Sequence, residues 1–178
     1  MQQLKKIVVL GPESTGKSTL CTQLAAWYHT QWVPEYAREY LLTNGKDYTW
    51  EDLSLIARGQ LSQEDKAVNE KNQPGNLLFI DTDLYVIKVW SEYVFNKCDN
   101  FILTAIASRQ YDLYLLCNTD LPWVEDELRE YPDLYSRQKL FHFYKDAMIN
   151  QFVPWVEISG NYEQRLINSI NFIDKNFA

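Results

Sequence analysis

The 178-residue sequence predicts an α/β fold, a parallel five-stranded sheet sandwiched in three layers between helices. Two observations carry the prediction. Strand-like and helix-like segments alternate from end to end, and the first strand-to-helix connection is a glycine-bounded loop, GPESTGKS. Alternation of this kind needs crossover connections, which make neighbouring strands parallel and cover both faces of the sheet.

Residues 4–10 form an apolar strand, and residues 17 to about 30 a helix with Leu20, Leu24 and Trp27 on one face. A short strand follows at 31–33. Thr49 and Asp52 match a capping box, opening a helix that carries Leu53, Ile56, Ala57 and Gln60. That helix turns polar through residues 62–73 and is expected to stop at Pro74-Gly75. Residues 77–80 are a compact strand ending in Asp81-Thr82-Asp83, and residues 84–96 a helix with Ile87, Trp90 and Val94 at helical spacing. A strand at 111–117 leads through an acidic, aromatic stretch to a helix at 136–150. The last strand spans 152–158, and the closing helix repeats Leu166, Ile170, Ile173 and Phe177. With neither repeat nor linker, residues 1–178 are expected to be one domain, with a lid at about 118–135.

Composition narrows the function. At 46% hydrophobic and 15% aromatic, the chain has the apolar content of a packed core. A net charge of −7 disfavours nucleic-acid backbones and anionic membranes, yet leaves room for a small anion held by a few fixed cations. No apolar run is long enough to cross a bilayer, and the N-terminus shows no cleavage pattern. Cys21, Cys98 and Cys117 are scattered and odd in number, as expected of buried reduced thiols. A cytoplasmic protein is expected. The oligomeric state stays open, a homo-oligomer included.

The glycine loop carries chemistry. Gly11, Gly16, Lys17 and Ser18 satisfy G-x-x-x-x-G-K-[ST] between a strand and a helix, so backbone amides and a positive helix end converge on one point. The residues expected to hold a nucleotide are Gly11, Glu13, Ser14, Thr15, Gly16, Lys17, Ser18 and Thr19, with the Ser18 hydroxyl on Mg²⁺. Asp81, at the C-terminal end of a buried strand, would order water around that metal. Asp83, two residues on, either continues the same face or caps the next helix.

Three further segments, VPEYAREYL, FIDTDLYVIKVW and YDLYLLCNTDLPWVEDELR, resemble the ribosylnicotinamide kinase domain of the NadR family. The resemblance runs from GPESTGKST to SGNYEQR. It implies a P-loop kinase moving phosphate from ATP, with Mg²⁺, to the 5′-hydroxyl of nicotinamide riboside, giving nicotinamide mononucleotide. A small-molecule riboside is then the ligand, and any adenylyl transfer that follows needs a separate adenylyltransferase chain. On this resemblance Glu35 is the catalytic carboxylate, Asp83 the alternative base or ribose ligand, and Arg38 a phosphate or acceptor ligand. Arg129 and Arg137 are lid arginines positioned to swing onto phosphate, Asp120, Trp123 and Asp126 shape the acceptor pocket or the lid hinge, and Asn161 and Tyr162 lie where adenine is held. Glu35 with Arg38 also fits a plain i, i+3 surface pair.

The sequence departs from the family at the ring of the acceptor. Pro34 precedes Glu35 where the family has an aromatic residue, and the nearest tryptophan is Trp32. Polar residues such as Asp65 and Lys66 stand where a second aromatic is wanted, and Glu127 replaces a glycine in the lid. Two other readings stay open: a kinase of another nucleoside or small metabolite, and a regulatory module that binds ATP or GTP without transferring phosphate. CNTD (117–120) lacks the NKxD pattern that reads guanine, so ATP is the expected nucleotide.

Overall fold

A computed structural model describes residues 3–70 and 74–177. Met1 and Gln2, at the start of the segment read as lacking a cleavage signal, lie outside the described residues, as do residues 71–73 of the expected polar helix end.

The elements run β1 (Lys5–Leu10), α1 (Lys17–Trp27), β2 (Gln31–Val33), α2 (Tyr36–Asn44), α3 (Trp50–Val68) and β3 (Leu77–Asp81). They continue α4 (Leu84–Phe95), α5 (Asn100–Ser108), β4 (Leu113–Cys117), α6 (Leu134–Ile149), β5 (Trp155–Ile158) and α7 (Tyr162–Phe177). Every pairing is parallel, in the order β2-β3-β1-β4-β5. The expected sheet is therefore observed, with β1 at its centre.

The pleat of β1 divides the core. Ile7 and Val9 pack with Leu20, Leu24 and Ile173 on the α1/α7 side; Val8 and Leu10 pack with Val89, Leu140 and Met148 on the α4/α6 side. Successive side chains of a strand point to opposite faces, so an unbroken apolar run suits a strand covered on both. A satellite core joins α2, α3, α4 and α5 through Leu53, Ile56, Ile87 and Ile102.

Several boundaries differ from expectation. Trp27 of α1 is 59% exposed, and the buried stripe is Leu20, Cys21, Leu24 and Ala25. The α3 helix begins at the expected Thr49–Asp52 capping box but ends at Val68, because Asn69 and Glu70 turn back onto Asp65 and Ala67. α2 and α5, nine residues each, were not expected as helices. α6 starts two residues early because Asp133 caps it by accepting from the Ser136 amide. β5 starts three residues late, directly after Pro154. Cys21 and Cys117 are buried and unbridged, and Cys98 is half-buried. Among the described residues no helix is long and apolar enough to cross a membrane.

Candidate active site

The site opens at the C-terminal end of β1, where the strand order reverses and such sheets form their crevice. A Cβ at Gly11 would stand 2.6 Å from the Cys117 carbonyl oxygen, and its φ of +139° disfavours any side chain. Glycine is what lets the loop leave β1 against β4. α1 starts at Lys17 behind Gly16, which offers no side-chain cap, so the first amides of the helix are left for an anion. Lys17 Nζ and Thr15 Oγ1 both donate to the Pro12 carbonyl, at 2.9 and 2.7 Å.

Two buried arginines hold the loop from behind. Arg165 donates to the carbonyls of Thr15 (3.1 Å), Asn118 (3.0 Å) and Gly160 (2.7 Å) and pairs with Asp120. Arg137 donates to the carbonyls of Ser14 (3.1 Å) and Leu121 (3.2 Å). Arg137 is 2% exposed, so it braces the loop and does not stand free to swing onto phosphate.

Beside the loop, Ser18 Oγ donates to Asp81 Oδ2 at 2.5 Å. The other Asp81 oxygen is buried without a partner. Burial, with the Glu35 carboxylate nearby, pushes the Asp81 carboxyl above its ordinary range, against the pull of Lys17 and Ser18. A hydroxyl, a carboxylate and an orphaned oxygen suit Mg²⁺, which completes its shell with phosphate oxygens and water. Asp83 lies apart. Thr82 takes φ +75°, turning the chain so that Asp83 does not continue the Asp81 face. Asp83 instead caps α4, accepting from the Tyr85 amide at 3.0 Å and the Tyr114 hydroxyl at 3.1 Å. Burial lifts its carboxyl to about 7.

One cavity of about 270 Å³ adjoins the loop. Its lining combines the polar Gly11, Glu13 to Thr19, Glu35 and Arg38 with Leu41 of α2, Val86, Trp90 and Tyr93 of α4, and Tyr131. Val86, Trp90 and Tyr93 share a helical stripe, so one side of α4 faces the cavity. Asp83 is absent from its lining, so of the two carboxylates expected beside the acceptor only Glu35 lines it.

Residues 118–133 form an irregular segment that folds over the loop. The Glu13 carboxylate accepts from the amides of Glu130 (2.9 Å) and Tyr131 (2.6 Å) and from Trp123 Nε1 (3.4 Å). Ser14 Oγ accepts from the Val124 amide at 2.9 Å. Arg38 pairs with Asp126 at 3.0 Å and not with Glu35, so the alternative of a plain i, i+3 surface pair is not the one observed. Arg129 lines the cavity and donates to the Val124 carbonyl. Tyr162 lines it near Gly16, whereas Asn161 spends its side chain on the Gln164 amide.

The structure thus brings Lys17, Ser18, Glu35, Arg38 and Arg129 around one space, with Asp81 buried behind Ser18. Sequence reasoning missed Arg165 as a brace, and took Trp90 for a helix-packing residue. Asp65, where a stacking aromatic was wanted, pairs with Arg109 at 2.7 Å and does not line the cavity.

A family model described as "AAA domain" matches residues 6–165. The chain belongs to the AAA domain family. This AAA domain is 26% identical over 175 residues to the trifunctional NAD biosynthesis/regulator protein NadR of Escherichia coli strain K12. That alignment covers 96% of the chain and 42% of NadR, so the chain spans less than half the length of the curated relative it matches. A crystal structure of NadR in complex with NR superposes with a TM-score of 0.79 at 25% identity, over 97% of this chain and 49% of that one. Thymidylate kinase from Ehrlichia chaffeensis shares the fold, with a TM-score of 0.69 at 11% identity over 97% and 100% of the two chains. The resemblance to NadR and the parallel P-loop fold read from the sequence both hold for this AAA domain.

Proposed function

We propose that the chain is a kinase that transfers the γ-phosphoryl group of ATP to the 5′-hydroxyl of nicotinamide riboside. The observation that carries this reading is the single cavity joining the phosphate loop to Glu35, Arg38 and an aromatic wall. A phosphate donor and a flat-ringed riboside fit its two ends, and a P-loop without such a cavity has no place for an acceptor. The similarity to NadR, known in complex with NR, supports the choice of acceptor.

In this reading the amides of residues 13–18 and Lys17 bind the β- and γ-phosphates, and Lys17 leaves the Pro12 carbonyl to do so. Ser18 and Asp81 would hold Mg²⁺, which would neutralise charge on the phosphates when bound. Glu35 orients the acceptor hydroxyl. Its oxygen bonds to the γ-phosphorus as the bond to ADP breaks, and its proton passes to Glu35. Arg38 and Arg129 line the same space and stabilise the transferred group. The lid excludes water, which otherwise competes as acceptor. Tyr162 marks the adenine side. An adenylyltransferase acting on the mononucleotide is the partner this reading calls for.

The test is a scan of acceptors with ATP and Mg²⁺. Nicotinamide riboside is expected to yield its mononucleotide, and Lys17→Ala to lose at least a hundredfold in kcat while keeping its melting temperature. A blank with nicotinamide riboside, together with turnover of uridine or cytidine, replaces this acceptor. Pro34 ahead of Glu35 favours that second reading, because it removes one stacking surface.

A further inference from the structure

The cavity holds a charge that the phosphate chemistry does not use. Glu130 lines the cavity with Trp90, Tyr93 and Tyr131. Its backbone amide is bonded to Glu13, but its carboxylate accepts from the Tyr48 hydroxyl at 3.1 Å. That same hydroxyl accepts from Trp90 Nε1 at 2.8 Å. Indole N–H only donates, so the single Tyr48 proton is directed to Glu130, and Glu130 is held as an acceptor beside the Trp90 ring. The rings pack edge to face, Tyr48 against Trp90 at 4.7 Å and Tyr93 against Tyr131 at 5.5 Å.

Two of the other carboxylates in the cavity are engaged: Asp126 pairs with Arg38, and Glu13 accepts from the Trp123 indole and the Glu130 and Tyr131 amides. Glu35 stands at the phosphate end. Among the described residues Glu130 has no cationic partner. A carboxylate without a counter-charge, next to aromatic faces, is the chemistry that binds a flat organic cation, because ring quadrupole and anion attract the same charge.

We infer that Glu130, with Trp90 and Tyr93, selects an acceptor whose ring carries a positive charge, an N-ribosyl pyridinium over a neutral nucleoside. The inference rests on the kinase reading for its acceptor and adds a reason of charge for the choice of ring. It also supplies, from α4 and the lid, the aromatic surface missing at Pro34 and Asp65.

The decisive probes are nicotinamide riboside and its 1,4-dihydro form, which has nearly the same shape and a neutral ring. Binding to the full chain is measured by calorimetry, and phosphoryl transfer is followed on the same samples. The wild-type chain is expected to bind the cationic riboside about tenfold more tightly. Glu130→Gln, near-isosteric and able to keep the Tyr48 bond, is expected to remove most of that preference while leaving the neutral form within about twofold. Glu130→Asp retains a preference. Equal binding of both forms by the wild type, binding of neither, or an equal loss of both in Glu130→Gln overturns the inference. Charge-selective binding without turnover leaves it standing and removes the kinase reading instead.

Discussion

At Asp83 burial excludes water, and the folded chain holds the proton well above the ordinary aspartate range, against the pull of the Tyr85 amide and the Tyr114 hydroxyl that donate to it. The group is lifted from 3.8 to about 7 by burial. Between those values the folded state binds more protons than the unfolded state, so stability falls as pH rises through 7 and is fully present only below 4. Asp83→Asn keeps a good helix cap and removes the titration. Its melting temperature is expected to exceed that of the wild type at pH 8, with the gap closing towards pH 4, at about 2–4 °C per kcal/mol. Glu64, also buried and lifted to about 7, leaves a slope of the same sign in the variant. A gap that widens on acidification refutes the assignment. Residues of this kind are only partly legible in sequence. Ser18 and Lys17 announce themselves by spacing, and Asp81 by its place at a strand end. Whether Asp83 faces the cavity turned on the φ of Thr82, which no spacing reveals. Arg165 was invisible for a similar reason: the carbonyls that it holds lie up to 150 positions away.

Residues 118–133 line the cavity together with α2 and α4, and α3 sets how α2 lies. Glu13 fastens residues 130 and 131, so Glu13→Ala is expected to speed hydrogen exchange at those two amides at least tenfold while the β1 amides stay protected. α3 crosses α2 so closely that a Cβ at Gly59 would come within 1.9 Å of the Tyr36 ring. Tyr36 adjoins Glu35 and its amide is fixed by Gln60, so Gly59→Ala displaces the carboxylate. Its expected signature is a loss of kcat with a destabilisation of about 1–3 kcal/mol. Undisturbed kcat would separate Glu35 from the chemistry. The capping box of α3 was legible because both partners lie within four residues. α2 and α5 were not, since nine residues give too few turns for a period to emerge, and their apolar faces have meaning only where α2 meets α3 and α5 meets α4 and α3.

Across the whole molecule, the alternation of strands and helices was enough to give the sheet, but not the order of its strands. That order depends on which crossovers turn left or right of β1. Its consequence is testable by ligand: Mg-ATP at a hundredfold excess over its Kd is expected to stabilise the fold by about 2.7 kcal/mol, and Lys17→Ala to abolish the shift. A melting curve unmoved by Mg-ATP would contradict nucleotide binding at β1. Arg165 ties α7 to the phosphate loop, reaching the carbonyl of Thr15 across 150 positions. Synthesis runs from N- to C-terminus, so the loop is written long before its brace and stays without that anchor until α7 arrives.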